Sequence, residues 1–170
     1  MESHLPEGKI AQTVQDQLAA IGKVVVKWSM FELMLDMAIQ DLAGLPSNTG
    51  SCLTSQISGH GRKLDAVLAL IGLRKIPDEK RAMSQMRKVA DRARGLAEQR
   101  NRIVHDPWFG NMAGGIGRYQ ITARKALVFE MKTGTQEELE TIAANIQTLT
   151  SDFARALHNL TPDVDLSTFT

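Results

Sequence analysis

Arg100-Asn101-Arg102-Ile103-Val104-His105 gathers two guanidiniums, a carboxamide and an imidazole into one short stretch. Pro107 follows, disfavours helical angles at Asp106, and predicts a helix end near His105. An imidazole gives and takes a proton near neutral pH, and a guanidinium can hold a phosphate through two parallel hydrogen bonds. Those groups suffice for a metal-free attack on a phosphodiester. Residues five apart lie about 140° around a helix, so Arg100 and His105 meet only through the long arginine and a fraying end. Asn101 and Arg102, four and three residues before His105, share its side of the helix. In this pattern Asn101 would orient the imidazole, Arg102 would add a phosphate contact, and Asp106 would raise the basicity of His105. A helix C-terminus also favours the protonated imidazole, which suits a general acid. The blander arrangement is a C-capping His105 beside an exposed Arg102.

Two long helices must position these groups. Apolar periodicity predicts a first helix over 14–43, stopped by Gly44 and Pro46. Its stripe reads Ile21, Val25, Trp28, then Glu32, then Leu35, Ile39 and Leu42. A carboxylate at a core position needs a partner or a proton. The third helix is expected from Pro77-Asp78 to about His105, with Met86, Val89, Ala93, Leu96, Arg100, Ile103 and Val104 on its inner side. Arg100 thus interrupts one stripe as Glu32 interrupts the other. Their pairing would fix the guanidinium beside the histidine, in a functional or purely stabilising role.

Between these helices, 45–51 has loop composition, and a second helical stretch is expected over 52–73. Leu53, Ile57, Leu64, Leu68 and Ile71 form its apolar side, and Ser58-Gly59-His60-Gly61 is positioned to kink or split it. His60 there reads as a solvent-exposed loop residue. The glycine-rich 107–117 lacks a Walker lysine and a preceding strand, so it reads as a linker. A β-hairpin is expected over about 118–132, from the runs 119–122 and 126–131. It is too small to make a core, so it must pack on the helices or on a second copy. Thr135-x-x-Glu138 is a capping box, and Leu139, Ile142, Ile146, Leu149, Phe153, Leu157 and Leu160 mark the last helix up to Pro162. The expected fold is mainly all-α, an antiparallel four-helix bundle with a small β-hairpin inserted before the last helix. It forms one domain, with a core over about 14–160 and a polar tail at 161–170.

The chain has 170 residues, 43% of them hydrophobic and 23% charged, which suits a globular domain with a real core. One cysteine, Cys52, permits no internal disulfide, predicts a cytoplasmic setting, and reads as a packed thiol. No stretch has the length and purity of a membrane span, and residues 1–6 lack the pattern of a signal peptide. From Arg62 to Arg102 twelve Lys or Arg stand against five Asp or Glu, while the rest of the chain holds eight and fourteen. That surplus favours an anionic partner, though a charged helix is also an ordinary solvated one. His4, His60 and His158 are scattered, so neither a metal site nor a cofactor is expected.

Trp28, Phe31 and Glu32 on the first helix, then Arg100-Asn101-x-x-Val104-His105-Asp106-x-Trp108, then a hairpin and an amphipathic last helix form a combined pattern. It resembles the HEPN superfamily (higher eukaryotes and prokaryotes nucleotide-binding domains), in particular HEPN-like bacterial and phage proteins of unknown role. The resemblance covers about 14–160. It implies a homodimer in which two third helices meet across a two-fold axis and two Arg–His pairs line one cleft. Many members are metal-independent endoribonucleases of toxin–antitoxin, abortive-infection or CRISPR defence systems. By that resemblance His105 would be general base or acid for the RNA 2′-hydroxyl, Arg100 would steady the phosphate, and Asn101 is the polar residue after the arginine. Products would carry a 2′,3′-cyclic phosphate and a 5′-hydroxyl, and an antitoxin or other neutralising protein becomes a candidate partner. Pro107 stands where some family toxins have a modifiable tyrosine, so that control is not expected. Other members bind nucleotides or serve as assembly modules, which leaves two alternatives: a non-catalytic homodimeric nucleotide- or anion-binding module, or a helical interaction protein.

Overall fold

The computed structural model describes residues 7–74, 79–110, 116–123 and 126–160. The fold is mostly helical, with a small antiparallel sheet. The elements are α1 (Glu7–Ala43), α2 (Ser47–Thr54), α3 (His60–Leu73), α4 (Glu79–His105), β1 (Trp108–Gly110), β2 (Ile116–Thr122), β3 (Val128–Thr133) and α5 (Gln136–Leu160). Pro77, Asp78, Arg124, Lys125, Pro162 and residues 111–115 of the glycine-rich stretch lie outside the described residues. The chain divides into two compact units, one of Met1–Lys27 with Ala97–Ala144, the other of Trp28–Leu96 with Asn145–Thr170.

The second unit carries the aromatic core. Trp28 and Phe31 of α1 sit with ring centroids 5.4 Å apart, and Phe31 meets Phe153 of α5 edge-on at 5.9 Å. Each such ring contributes about 1.5–3 kcal/mol by leaving water. Phe31 takes the inward position assigned above to Glu32, which is only half-buried. A spacing of three or four from Trp28 admits either residue, and the ring gains far more from burial than a carboxylate. Leu64, Val67 and Ile71 of α3, Met86 of α4 and Leu149 and Leu157 of α5 complete the core. His60 is no loop residue: it opens α3, half-buried, with its ring edge-on to Trp28 at 5.1 Å.

Glycines set the breaks. Gly44 has φ +65°, and Leu45 N donates to Gln40 O while Gly44 N donates to Asp41 O, the paired bonds of a left-handed helix cap. Arg74 Nη2 donates to Asp41 O at 2.8 Å and Leu42 O at 3.1 Å, satisfying further carbonyls of that end. Gly59, at φ +82°, splits the expected second helix. The expected loop at 45–51 is largely helix α2, because Gly50 lets it approach α1. A Cβ there would lie within 2.8 Å of the Gln40 side chain. Cys52 on this short helix is exposed rather than packed.

In the first unit the sheet has three strands in the order β1-β2-β3, not the two of a hairpin. Trp108↔Arg118 and Gly110↔Ile116 frame the extra strand, and Phe109 packs on Tyr119 with centroids 4.5 Å apart. Linker composition hid this strand. Gly117 permits it, since a Cβ there would meet Lys132 O at 3.1 Å and Phe109 Cζ at 3.3 Å. The sheet is tied to α1 by Gln17, buried and doubly engaged. Its Oε1 accepts from Ile116 N at 2.8 Å and its Nε2 donates to the carbonyls of Ile116 and Gly134. The capping box at α5 is present: Glu138 N donates to Thr135 Oγ1 at 3.1 Å and Thr135 N to Glu138 Oε2 at 3.2 Å. Among the described residues no helix is long and apolar enough to cross a membrane.

Candidate functional site

α4 ends at His105, as the following proline requires, and its last turn holds Arg102 and His105. The imidazole is exposed, with no hydrogen bond or ion pair to another described residue. Arg100, at an inward position of the same helix, is half-buried. Its Nη1 donates to Asn101 Oδ1 at 3.1 Å, while its buried Nε has no partner among the described residues. A buried guanidinium N–H without an acceptor is costly. Glu32 lies in the other unit, and the hydrogen bond Arg100 makes within its own unit is the one to Asn101.

The chain just past the helix end is held by a polar lock. Trp108 Nε1 donates to Ile103 O at 2.7 Å, filling one of the last carbonyls of α4. Asp106 Oδ2 accepts from Arg118 Nη1 at 2.7 Å, and its Oδ1 faces Arg102 Nη1 at 3.6 Å. Arg102 Nη1 also donates to Ile121 O at 3.3 Å. The carboxylate that was expected to act on His105 therefore engages two guanidiniums. Arg102 is anchored to the sheet but keeps free N–H groups on its five-donor fork. Sequence reasoning missed Arg118 and Gln17. The signal for Arg118 was its pairing opposite Trp108, which required the unseen strand β1.

The structure joins Arg102, Asp106 and Arg118 just past the helix end, next to the Trp108–Ile103 bond, and pairs Arg100 with Asn101 further back on α4. His105 faces solvent, and among the described residues no hydrogen bond joins it to Arg100. Among the described residues no group of three or more His, Cys, Asp or Glu is placed to hold a metal ion. Part of the basic surplus on α4 is neutralised locally, because Arg92 pairs with Asp152 and Arg94 with Asp91. No protein-family model, curated protein or solved structure matches the chain.

Proposed function

We propose that the protein is a HEPN-like, metal-independent endoribonuclease of toxin or phage-defence type. The observation that supports it is the exposed His105 at the end of the helix that also carries a half-buried Arg100, whose Nε has no acceptor among the described residues. In this reading the helices form the four-helix bundle of that superfamily. Two copies associate so that their Arg100–His105 helix ends share a cleft. RNA is the substrate, and an antitoxin or other neutralising protein is the partner that restrains it.

The chemistry follows from the residue types. His105 as a neutral imidazole takes the proton of an RNA 2′-hydroxyl, whose oxygen attacks the adjacent phosphorus. The bond to the 5′ oxygen breaks, that oxygen takes a proton from water, and His105 returns its proton to solvent, giving a 2′,3′-cyclic phosphate and a 5′-hydroxyl. Arg100 and Arg102 hold the phosphate oxygens as negative charge accumulates. Asn101 keeps the Arg100 fork in place. Asp106 and Arg118 fix the chain after the helix.

The test is cleavage of a labelled mixed-sequence RNA in EDTA by the wild type and by His105→Ala, with the product ends identified. The expected result is cyclic-phosphate ends from the wild type and a loss of about 10²–10⁴-fold in the variant. Because His105 is exposed and has no hydrogen-bond or ion-pair partner among the described residues, the variant should keep its stability. RNA or nucleotide binding without cleavage by either protein would replace the enzyme with an anion-binding module.

A further inference from the structure

β3 is an edge strand, and its exposure is unusual. The sheet order leaves β3 outermost, with Phe129 64% and Met131 57% exposed. Opposite them on β2 stand Ile121 and Tyr119, 47% and 41% exposed, in the pairs Ile121↔Phe129 and Tyr119↔Met131. One face of the hairpin is therefore a patch of large apolar side chains beside an unpaired strand edge. A long, flat, apolar edge is a template for another strand.

The charges on β3 select which strand. Glu130 and Lys132 alternate with Phe129 and Met131, so they share the other face of the sheet. An antiparallel pairing of β3 with its own copy about a two-fold axis must be centred on a residue. Only centres at Glu130 and Met131 use the strand along its length. Centring on Glu130 sets one glutamate against the other. Centring on Met131 sets Glu130 against the partner's Lys132 and Lys132 against the partner's Glu130, with methionine against methionine. Opposite charges directly across a strand pair stabilise it, and like charges oppose it.

We propose that a second copy of this chain docks on β3, antiparallel and centred on Met131, making a six-stranded sheet across the two-fold axis. Each lysine then lies between two carboxylates, its own Glu130, which it already touches, and the partner's. The apolar rows of both hairpins become continuous on the opposite face. Parallel in-register stacking would set like charge on like, so the same alternation disfavours open-ended aggregation. The proposal rests on the Glu130/Lys132 alternation and not on the ribonuclease reading. This two-fold is distinct from the α4-end association proposed above, so the two together give an assembly larger than a dimer, and the β3 step is the one that the charge reversals alter.

Charge reversal tests it. Glu130→Lys and Lys132→Glu should each weaken self-association at least about tenfold by sedimentation equilibrium, since symmetry spoils two pairs at once. The double reversal, Glu130→Lys with Lys132→Glu, restores both pairs with inverted polarity and should return to near the wild-type value. Circular dichroism checks that these exposed substitutions leave the fold intact. A wild type without self-association, a single reversal without effect, or a double reversal that fails to restore would each overturn it. Register is read separately in a Cys52→Ser background. Met131→Cys places two thiols opposite each other, with Cα atoms about 4.5–5.5 Å apart, within disulfide reach. Oxidation should link two copies of that variant much faster than of Glu130→Cys, and equal rates would reject the register. Neither readout involves His105, so loss or absence of RNA cleavage leaves both intact.

Discussion

Of the twelve largest fully buried side chains among the described residues, eleven lie in the unit of Trp28–Leu96 and Asn145–Thr170, and only Val24 lies in the other. Exposed large apolar side chains follow the opposite trend. Tyr119, Ile121, Leu127, Val128, Phe129 and Met131 all belong to the β2–β3 hairpin of the first unit. What organises that unit is polar and directional: the Gln17 carboxamide on two backbone carbonyls, the Trp108 indole on Ile103 O, and Arg118 on Asp106. A net hydrogen bond contributes about 0.5–1.5 kcal/mol, less than a buried ring, but it fixes an atom in place. The unit with the large core is built to stay folded. The unit with Arg100 and His105 is held by directional polar contacts.

The sharpest break of that contrast uses two phenylalanines. Phe31→Ala removes a fully buried ring and should cost about 3–5 kcal/mol in urea denaturation. Phe129→Ala, on the exposed strand, should stay within about 0.5 kcal/mol in the same experiment at dilute protein. Equal losses would erase the distinction between the units.

A middling effect is expected at Gly134. A Cβ there would lie 2.6 Å from two atoms of the Trp108 ring, so Gly134→Ala must turn the indole and sacrifice its bond to Ile103 O. The cost should be about 1–3 kcal/mol, with a red-shifted tryptophan emission. An unchanged emission and stability would show that the indole bond is not part of the lock.

The smallest effect sharpens the polar side of the comparison. The carboxyl of Glu140 is held below its ordinary range chiefly by the hydrogen bond from Lys23, then by that from Gln136, then by the Lys23 charge. Its stabilisation is complete above the unfolded chain's carboxylate pKa and is lost as pH falls through the lowered folded value. The stability gap between wild type and Lys23→Ala should therefore be flat near neutrality and close on acidification. Because the pair is exposed, added salt should shrink the gap. A gap that widens in acid would contradict this origin.

How much of this was legible depends on the range of the interaction. The α5 cap, Thr135 with Glu138, and the α4 stop before Pro107 are contained within a few residues, so the local pattern displays them. The α1 stripe was legible only to within one position, because Trp28 is followed three and four residues later by Phe31 and Glu32. Of the candidate site, the helical placement of Arg100, Asn101, Arg102 and His105 was legible. Its remaining members were not, since Arg118 reaches Asp106 through a strand concealed in glycine-rich sequence.

The sequence alone determined the mainly helical class, the end of α4 at the histidine and the start of α5 at the threonine cap. Backbone sterics and hydrogen bonds between near neighbours decide those features. Tertiary structure alone decided that Phe31 rather than Glu32 enters the core, that Gly50 lets α2 close on α1, and that Asp106 is held by Arg118. It also decided that Gln17 stitches Ile116 and Gly134, 99 and 117 residues away. Such contacts depend on which surfaces meet when the chain collapses, and no local period or spacing encodes that meeting.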